Sequence, residues 1–219
     1  MEREAVLVAL DVGTNKVVAL IGDVTGKGIE AAGFTETVRA AVRTLALISP
    51  SPQYMLGNVN RLLLHEGEHQ QLATALIVVL DPANGQSVLA SAGHPPVMYL
   101  SDSGCRIIEP RFGLPLGVLE HAYETTDFTL APGESLVLYT DGLTEARRNG
   151  KVFGEKRLLE VLDAASAEGP QELATRLKEA VVAYAGELKD DLQILVVRRT
   201  PRGRQSAADR PSADRTPRG

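Results

Sequence analysis

Tryptophan is absent from the 219 residues, and Phe and Tyr number only 4 and 5. A core must therefore be assembled from Leu, Val, Ile and Ala, and the chain is long enough for one sizeable core. A single cysteine, Cys105, rules out a disulfide within the chain and a thiolate metal site. Alone it reads as a small, partly buried apolar residue. No run of about 18 apolar residues occurs, so no transmembrane helix is expected. Glu2, Arg3 and Glu4 precede the first apolar run and do not make the basic start of a signal peptide. The expectation is a cytoplasmic protein with no membrane association. Clustered positive charge is also scarce. Residues 200–219 carry five Arg and two Asp, so this tail is +3 and the remainder −8, which together give the net −5. An acidic body argues against nucleic acid as a partner and suits a protein that gathers carboxylates around cations.

What is present is punctuated clearly. Residues 5–12 and 17–22 are apolar and Val-rich around Gly13-Thr14-Asn15-Lys16, which reads as a β-hairpin with strands buried on both faces. Over 29–47 the period changes: Ala31, Phe34, Val38, Ala41, Val42 and Leu45 recur at helical spacing, with Arg39 and Arg43 on the other side. Ser49-Pro50-Ser51-Pro52 ends that helix, and Met55, Leu56, Val59, Leu62 and Leu63 mark a second. From 73 to 139 the pattern is all-β, with strands over 73–81, 87–92, 97–100, 123–130 and 135–140. Turns fall at Asp81-Pro82-Ala83-Asn84-Gly85, Ser101-Asp102-Ser103-Gly104 and Pro132-Gly133. Helices resume over 154–164 and 170–184, with Pro170 suited to a first turn, and 192–198 reads as a last, buried strand. The expected fold is α+β: two mainly antiparallel sheets face to face, flanked by helix pairs, in layers α-β-β-α. It would occupy residues 1–199, followed by a disordered Arg/Pro/Ser tail over 200–219.

Acidic residues stand at strand ends. Asp23 follows VVALIG and opens Val24-Thr25-Gly26-Lys27-Gly28; Asp141 follows SLVLYT and opens Gly142-Leu143-Thr144-Glu145; Asp190 and Asp191 precede LQILVVR. Neighbouring strands would bring these carboxylates to one rim, where they repel unless a cation neutralises them. All-oxygen donors favour Mg²⁺ or Mn²⁺ over Zn²⁺. Each Asp alone is equally a turn residue or helix cap. The Walker spacing is absent around Gly22, Gly26 and Lys27, so this is no nucleotide phosphate loop.

Taken in order, IGDVTGKGIEAA (21–32), ATALIVVLDPANG (73–85), SAGHPP (91–96), GLPLGV (113–118), LYTDGLTEAR (138–147), FGEKRLLEVL (153–162) and KDDLQILVVR (189–198) resemble the PPM-type metal-dependent phosphatases, in the stage II sporulation E (SpoIIE-like) branch. The resemblance implies a protein serine/threonine phosphatase holding two Mn²⁺ or Mg²⁺ ions. Asp23 would bridge both ions, and the Val24 carbonyl would bind one of them. Asp141 and Asp190 would share an ion, with Asp191 the competing assignment. A water activated between the ions would attack phosphorus in line, with no phosphoenzyme and no call on Cys105. The implied substrate is a phosphorylated STAS-domain anti-sigma-factor antagonist. His94 is expected to be a strand-turn residue rather than a general acid. Lys27 either meets a phosphate or is solvated, and His65, His69 and His121 are expected at the surface.

The chain departs from the pattern at its start. Where the branch carries an acidic residue in the preceding strand, the count back from Asp23 lands on Ala5, so the N-terminal part looks shortened or replaced. This leaves a second expectation, a weakly active relative serving as a regulatory binding module. LDVGTNK (10–16) also resembles the first phosphate loop of actin-like ATPases, but a second such loop is missing, and Asp11 reads as a turn residue.

Overall fold

A computed structural model describes residues 15–26, 28–66, 72–188 and 191–200, together with the backbone of 3–11. Elements are numbered in chain order. One sheet contains β1 (Arg3–Asp11), β2 (Val17–Thr25), β3 (Ala73–Leu80), β4 (Gln86–Ala92) and β7 (Thr126–Thr129), in the order β1-β2-β3-β4-β7 with every pair antiparallel. The other contains β5 (Val97–Ser101), β6 (Gly104–Ile108), β8 (Ser135–Tyr139) and β11 (Ile194–Arg198), in the order β11-β8-β5-β6 and likewise antiparallel. Helices α1 (Ile29–Ile48) and α2 (Pro52–Glu66) cover the first sheet; α3 (Gly154–Ala164) and α4 (Pro170–Ala185) cover the second. The α-β-β-α expectation therefore holds. Among the described residues no helix is long and apolar enough to cross a membrane.

The period of two explains the layers. In β2, Val18, Leu20 and Val24 face α1 and α2, while Ala19 and Ile21 face the opposite sheet. In β3, Ala75, Ile77 and Val79 point outward and Leu76, Val78 and Leu80 inward. The second sheet mirrors this: Tyr99, Leu136 and Leu138 point inward, while Met98, Val137 and Tyr139 meet Leu158, Leu162, Leu173 and Leu177 of α3 and α4. Strands buried on both faces read as continuous apolar runs because each face has its own layer to meet.

Several expectations are corrected. Leu62 is not on the α2 stripe: it is 38% exposed, and the buried face runs through Met55, Leu56, Val59 and Leu63. The alternation over 123–130 yields only the short β7, because Tyr123 turns away to pack on the α2 side and its hydroxyl donates to the Leu114 carbonyl at 3.0 Å. β6 was not expected as a strand; its sequence GCRII alternates weakly. β11 is half-buried rather than buried, since it lies at the edge of its sheet. A two-residue ribbon, β9 (Arg147–Arg148) with β10 (Lys151–Val152), has no signal beyond a turn. His121 is no simple surface residue: its ring stacks edge-on with Phe112 and Tyr123, centroids 6.1 and 5.0 Å away. His65 is exposed as expected, and His69, Lys27 and the tail over 201–219 lie outside the described residues.

The sandwich has two distinct ends. At one, the Arg199 guanidinium donates to the carbonyls of Pro82, Ala83 and Leu130, tying the exit of β11 to the first sheet. Register places Asp23 at the other end: Val17 pairs with Leu80 near Arg199, while Asp23 pairs with Thr74 at the far end of β3. Asp141 follows the end of β8 that pairs with Ile194, again away from the Arg198–Ser135 pair beside Arg199. Both carboxylates are thus delivered to one pole by strand direction alone.

Candidate metal centre

Asp23 follows Ala19 and Ile21 on the inner face of β2 and is 5% exposed. Thr74 lies opposite it in β3. The approach of these strands is close enough that a Cβ on Gly22 would sit 2.6 Å from the Thr74 carbonyl oxygen, so the position before Asp23 accepts only glycine without a backbone shift. Asp141 comes from the second sheet, in the turn after β8. Its carbonyl accepts the Glu145 N–H at 2.7 Å, which folds the following residues back toward the same pole. The two meet across a cleft of about 310 Å³ whose walls also include Thr74, His94, Thr144, Glu145 and Glu155. Larger cavities exist, about 890 Å³ beside α2 and about 590 Å³ between α4 and β11, but neither touches Asp23 or Asp141.

His94 belongs to this wall. It is 6% exposed; its N–H donates to Ser91 Oγ at 3.0 Å, that hydroxyl donates to the His94 carbonyl at 3.2 Å, and its Nδ1 lies 2.9 Å from Thr74 Oγ1. The strand-turn expectation describes its backbone, yet the side chain borders the cleft. Glu145 and Glu155 were not singled out in the sequence, where Glu155 reads as an ordinary first-turn acid of α3. Asn60 was missed too: buried in α2, it donates to the Leu119 carbonyl and accepts the Gly117 N–H, fastening the GLPLGV segment down. Val24 buries its side chain in the α1/α2 layer, so only its carbonyl is available as a donor. Asp191 is exposed and does not line the cleft. Asp190 lies outside the described residues.

The donor set fits a hard divalent cation. Asp23, Asp141, Glu145 and Glu155 offer carboxylate oxygens and His94 one imidazole, with no thiolate among them. Among the described residues no three His, Cys, Asp or Glu side chains come close enough together to hold an ion by themselves. Carboxylates spread around a cleft match cations that keep several waters and take only one or two direct carboxylates, as Mg²⁺ does. Cys105 stands apart on β6. Burial, then the Asp163 carboxylate, push its thiol up to about 12. The neutral form therefore prevails at pH 8, so alkylation by iodoacetamide should be slow and should accelerate as pH rises toward 12. Cys105→Ser should leave any cleft chemistry unchanged in the same assay.

A family model described as Stage II sporulation protein E (SpoIIE) matches residues 13–200. Phosphoserine phosphatase RsbU of Bacillus subtilis (strain 168) is 28% identical over 183 residues, covering 82% of this chain and 54% of its own length. Protein IcfG of Synechocystis sp. is 27% identical over 218 residues, covering 85% of this chain and 34% of its own. The chain thus spans about half and about a third of these two relatives. Among solved structures, that of the RsbU and RsbW domains of Rv1364c from Mycobacterium tuberculosis superposes with a TM-score of 0.78 at 25% identity, over 90% of this chain and 60% of that one. The SiaA-PP2C domain of Pseudomonas aeruginosa shares the fold, with a TM-score of 0.75 at 23% identity, over 90% of this chain and 80% of that one.

Proposed function

The chain belongs to the stage II sporulation protein E family, and from that membership we propose that it is a metal-dependent protein phosphatase acting on phosphoserine or phosphothreonine. The observation that carries the proposal is the meeting of Asp23 and Asp141, from different sheets, in one oxygen-lined cleft. Asp23, the Val24 carbonyl, Asp141 and Asp190 are the proposed ligands, with Asp191 the alternative to Asp190. Two Mn²⁺ or Mg²⁺ ions held there would supply a nucleophilic water near neutral pH and charge neutralisation for the phosphoryl oxygens. The chain's own residues do the rest. The strand ends fix the carboxylates on a rigid frame, which limits reorganisation when the phosphoryl group arrives. Ser91 and Thr74 fix the backbone and ring of His94 on the cleft wall. The substrate class we propose is a phosphorylated STAS-domain anti-sigma-factor antagonist, in keeping with the motifs; RsbU, the relative quoted above, is named a phosphoserine phosphatase.

The experiment is release of phosphate from p-nitrophenyl phosphate and from a phosphoserine STAS protein, with Mn²⁺, with Mg²⁺ and with EDTA. Turnover that needs the cation supports the proposal; turnover undiminished by EDTA, or none at millimolar Mn²⁺ in folded protein, contradicts it.

One observation favours a second reading, a binding module with weak catalysis. Ala5 is the backbone register partner of Asp23 on β1, and the sequence carries no acid at that position. Ala5→Asp should therefore tighten Mn²⁺ binding by about tenfold and raise turnover at sub-saturating Mn²⁺. Calorimetric titration of the variant beside wild type checks this.

A further inference from the structure

Thr140 is the last residue of SLVLYT and has no exposed surface. Its N–H donates to the Gln193 carbonyl at 3.2 Å, extending the β8–β11 ladder one step beyond the Tyr139–Ile194 pair. In a regular antiparallel ladder the Gln193 N–H would return to the Thr140 carbonyl. Here that carbonyl accepts the Leu143 N–H at 3.0 Å instead, closing the turn that has Asp141 and Gly142 at its centre. The hydroxyl takes over the vacated place. Thr140 Oγ1 accepts the Gln193 N–H at 3.0 Å and donates to the Asp191 carbonyl at 3.0 Å. One buried side chain thus lets the chain do two things at once: turn away to present Asp141, and hold the strand that follows the acidic pair.

We propose that Thr140 is a positioning residue that holds the Asp141 turn against the Asp191–Gln193 segment, so that the cation affinity of the cleft depends on its hydroxyl. The inference rests on the metal-dependent reading above. Valine has the shape of threonine but can neither accept from Gln193 nor donate to Asp191, and it leaves both backbone groups without their partner. Serine keeps both bonds.

The test compares wild type, Thr140→Val and Thr140→Ser in two measurements: Mn²⁺ titration of metal-free protein by calorimetry, and amide hydrogen exchange at Gln193. Thr140→Val should weaken Mn²⁺ binding by about 10–100-fold, the scale on which residues that orient ligands act. Its Gln193 amide should exchange faster than in wild type, while amides of β2 and β3 stay protected. Turnover should recover at saturating Mn²⁺, shifting the metal requirement rather than kcat. Thr140→Ser should restore both measurements to near the wild-type values. Wild-type Mn²⁺ affinity in Thr140→Val overturns the proposal, as does a Thr140→Ser variant that is just as weakened; where Thr140→Val does not fold, the Ser comparison decides. A wild type that binds no Mn²⁺ overturns the metal reading instead, and the Gln193 exchange, which needs no metal, still shows whether the clamp exists.

Discussion

Asp23→Asn should lower Mn²⁺-dependent turnover by at least about 100-fold, the scale on which loss of one electrostatic stabiliser registers, and should remove most of the thermal stabilisation that Mn²⁺ gives the protein. The two effects have one cause. Asp23 is 5% exposed and lines the cleft with Asp141, Glu145 and Glu155, and an amide is a far weaker ligand for a hard cation than a carboxylate. Wild type gains stability from ligand binding, about 2.7 kcal/mol at a hundredfold excess over Kd, and the variant gains much less. Thermal melts in EDTA and in Mn²⁺, run beside a p-nitrophenyl phosphate assay, check both parts. A variant that gains as much from Mn²⁺ as wild type does would mean that Asp23 is not a ligand.

Gly113→Ala is the second large effect. A Cβ at Gly113 would lie 1.9 Å from the Ser91 carbonyl oxygen and 3.1 Å from the Tyr123 ring. The first of these neighbours is backbone, at the end of β4, and cannot rotate away. The added methyl should cost at least about 4 kcal/mol, beyond the usual range for a point substitution. Ser91 is also the residue whose hydroxyl holds the His94 backbone, so the displacement is passed to the cleft wall. Denaturant unfolding should show the midpoint falling with the slope little changed, and residual activity at low temperature should fall more than the folded fraction does. An alanine variant of wild-type stability would show that this segment packs differently.

These two positions also show what could be read from the residues alone. Asp23 and Asp141 stand out because each ends an apolar run beside glycine, and the motif order made the common pole an expectation. Helices α1, α3 and α4 were legible almost to the residue, with Ser49-Pro50 marking the end of the first and Pro170 the start of the last. The role of Gly113 was not legible, because a close approach between a loop and β4 leaves no local signal. Glu155 and Asn60 were hidden for the same reason. Each looks like an ordinary helical polar residue until the packing of another segment gives it a place. Thr140 read as the last residue of a buried strand; its hydroxyl matters only because β8 and β11 part at that point. β6 and β11 differ from expectation through their position at sheet edges, which depends on strand order and not on local composition.

On the proposed function, the cleft between Asp23 and Asp141 holds divalent cations. Crystals grown with Mn²⁺ and measured at the manganese absorption edge test it most directly. Anomalous peaks are expected in the cleft within about 2.0–2.2 Å of carboxylate oxygens of Asp23 and Asp141, the ordinary range for a small divalent ion, and they should be lost in Asp141→Asn crystals. A well-ordered cleft with no peak at millimolar Mn²⁺, or a peak held by other residues, would contradict it.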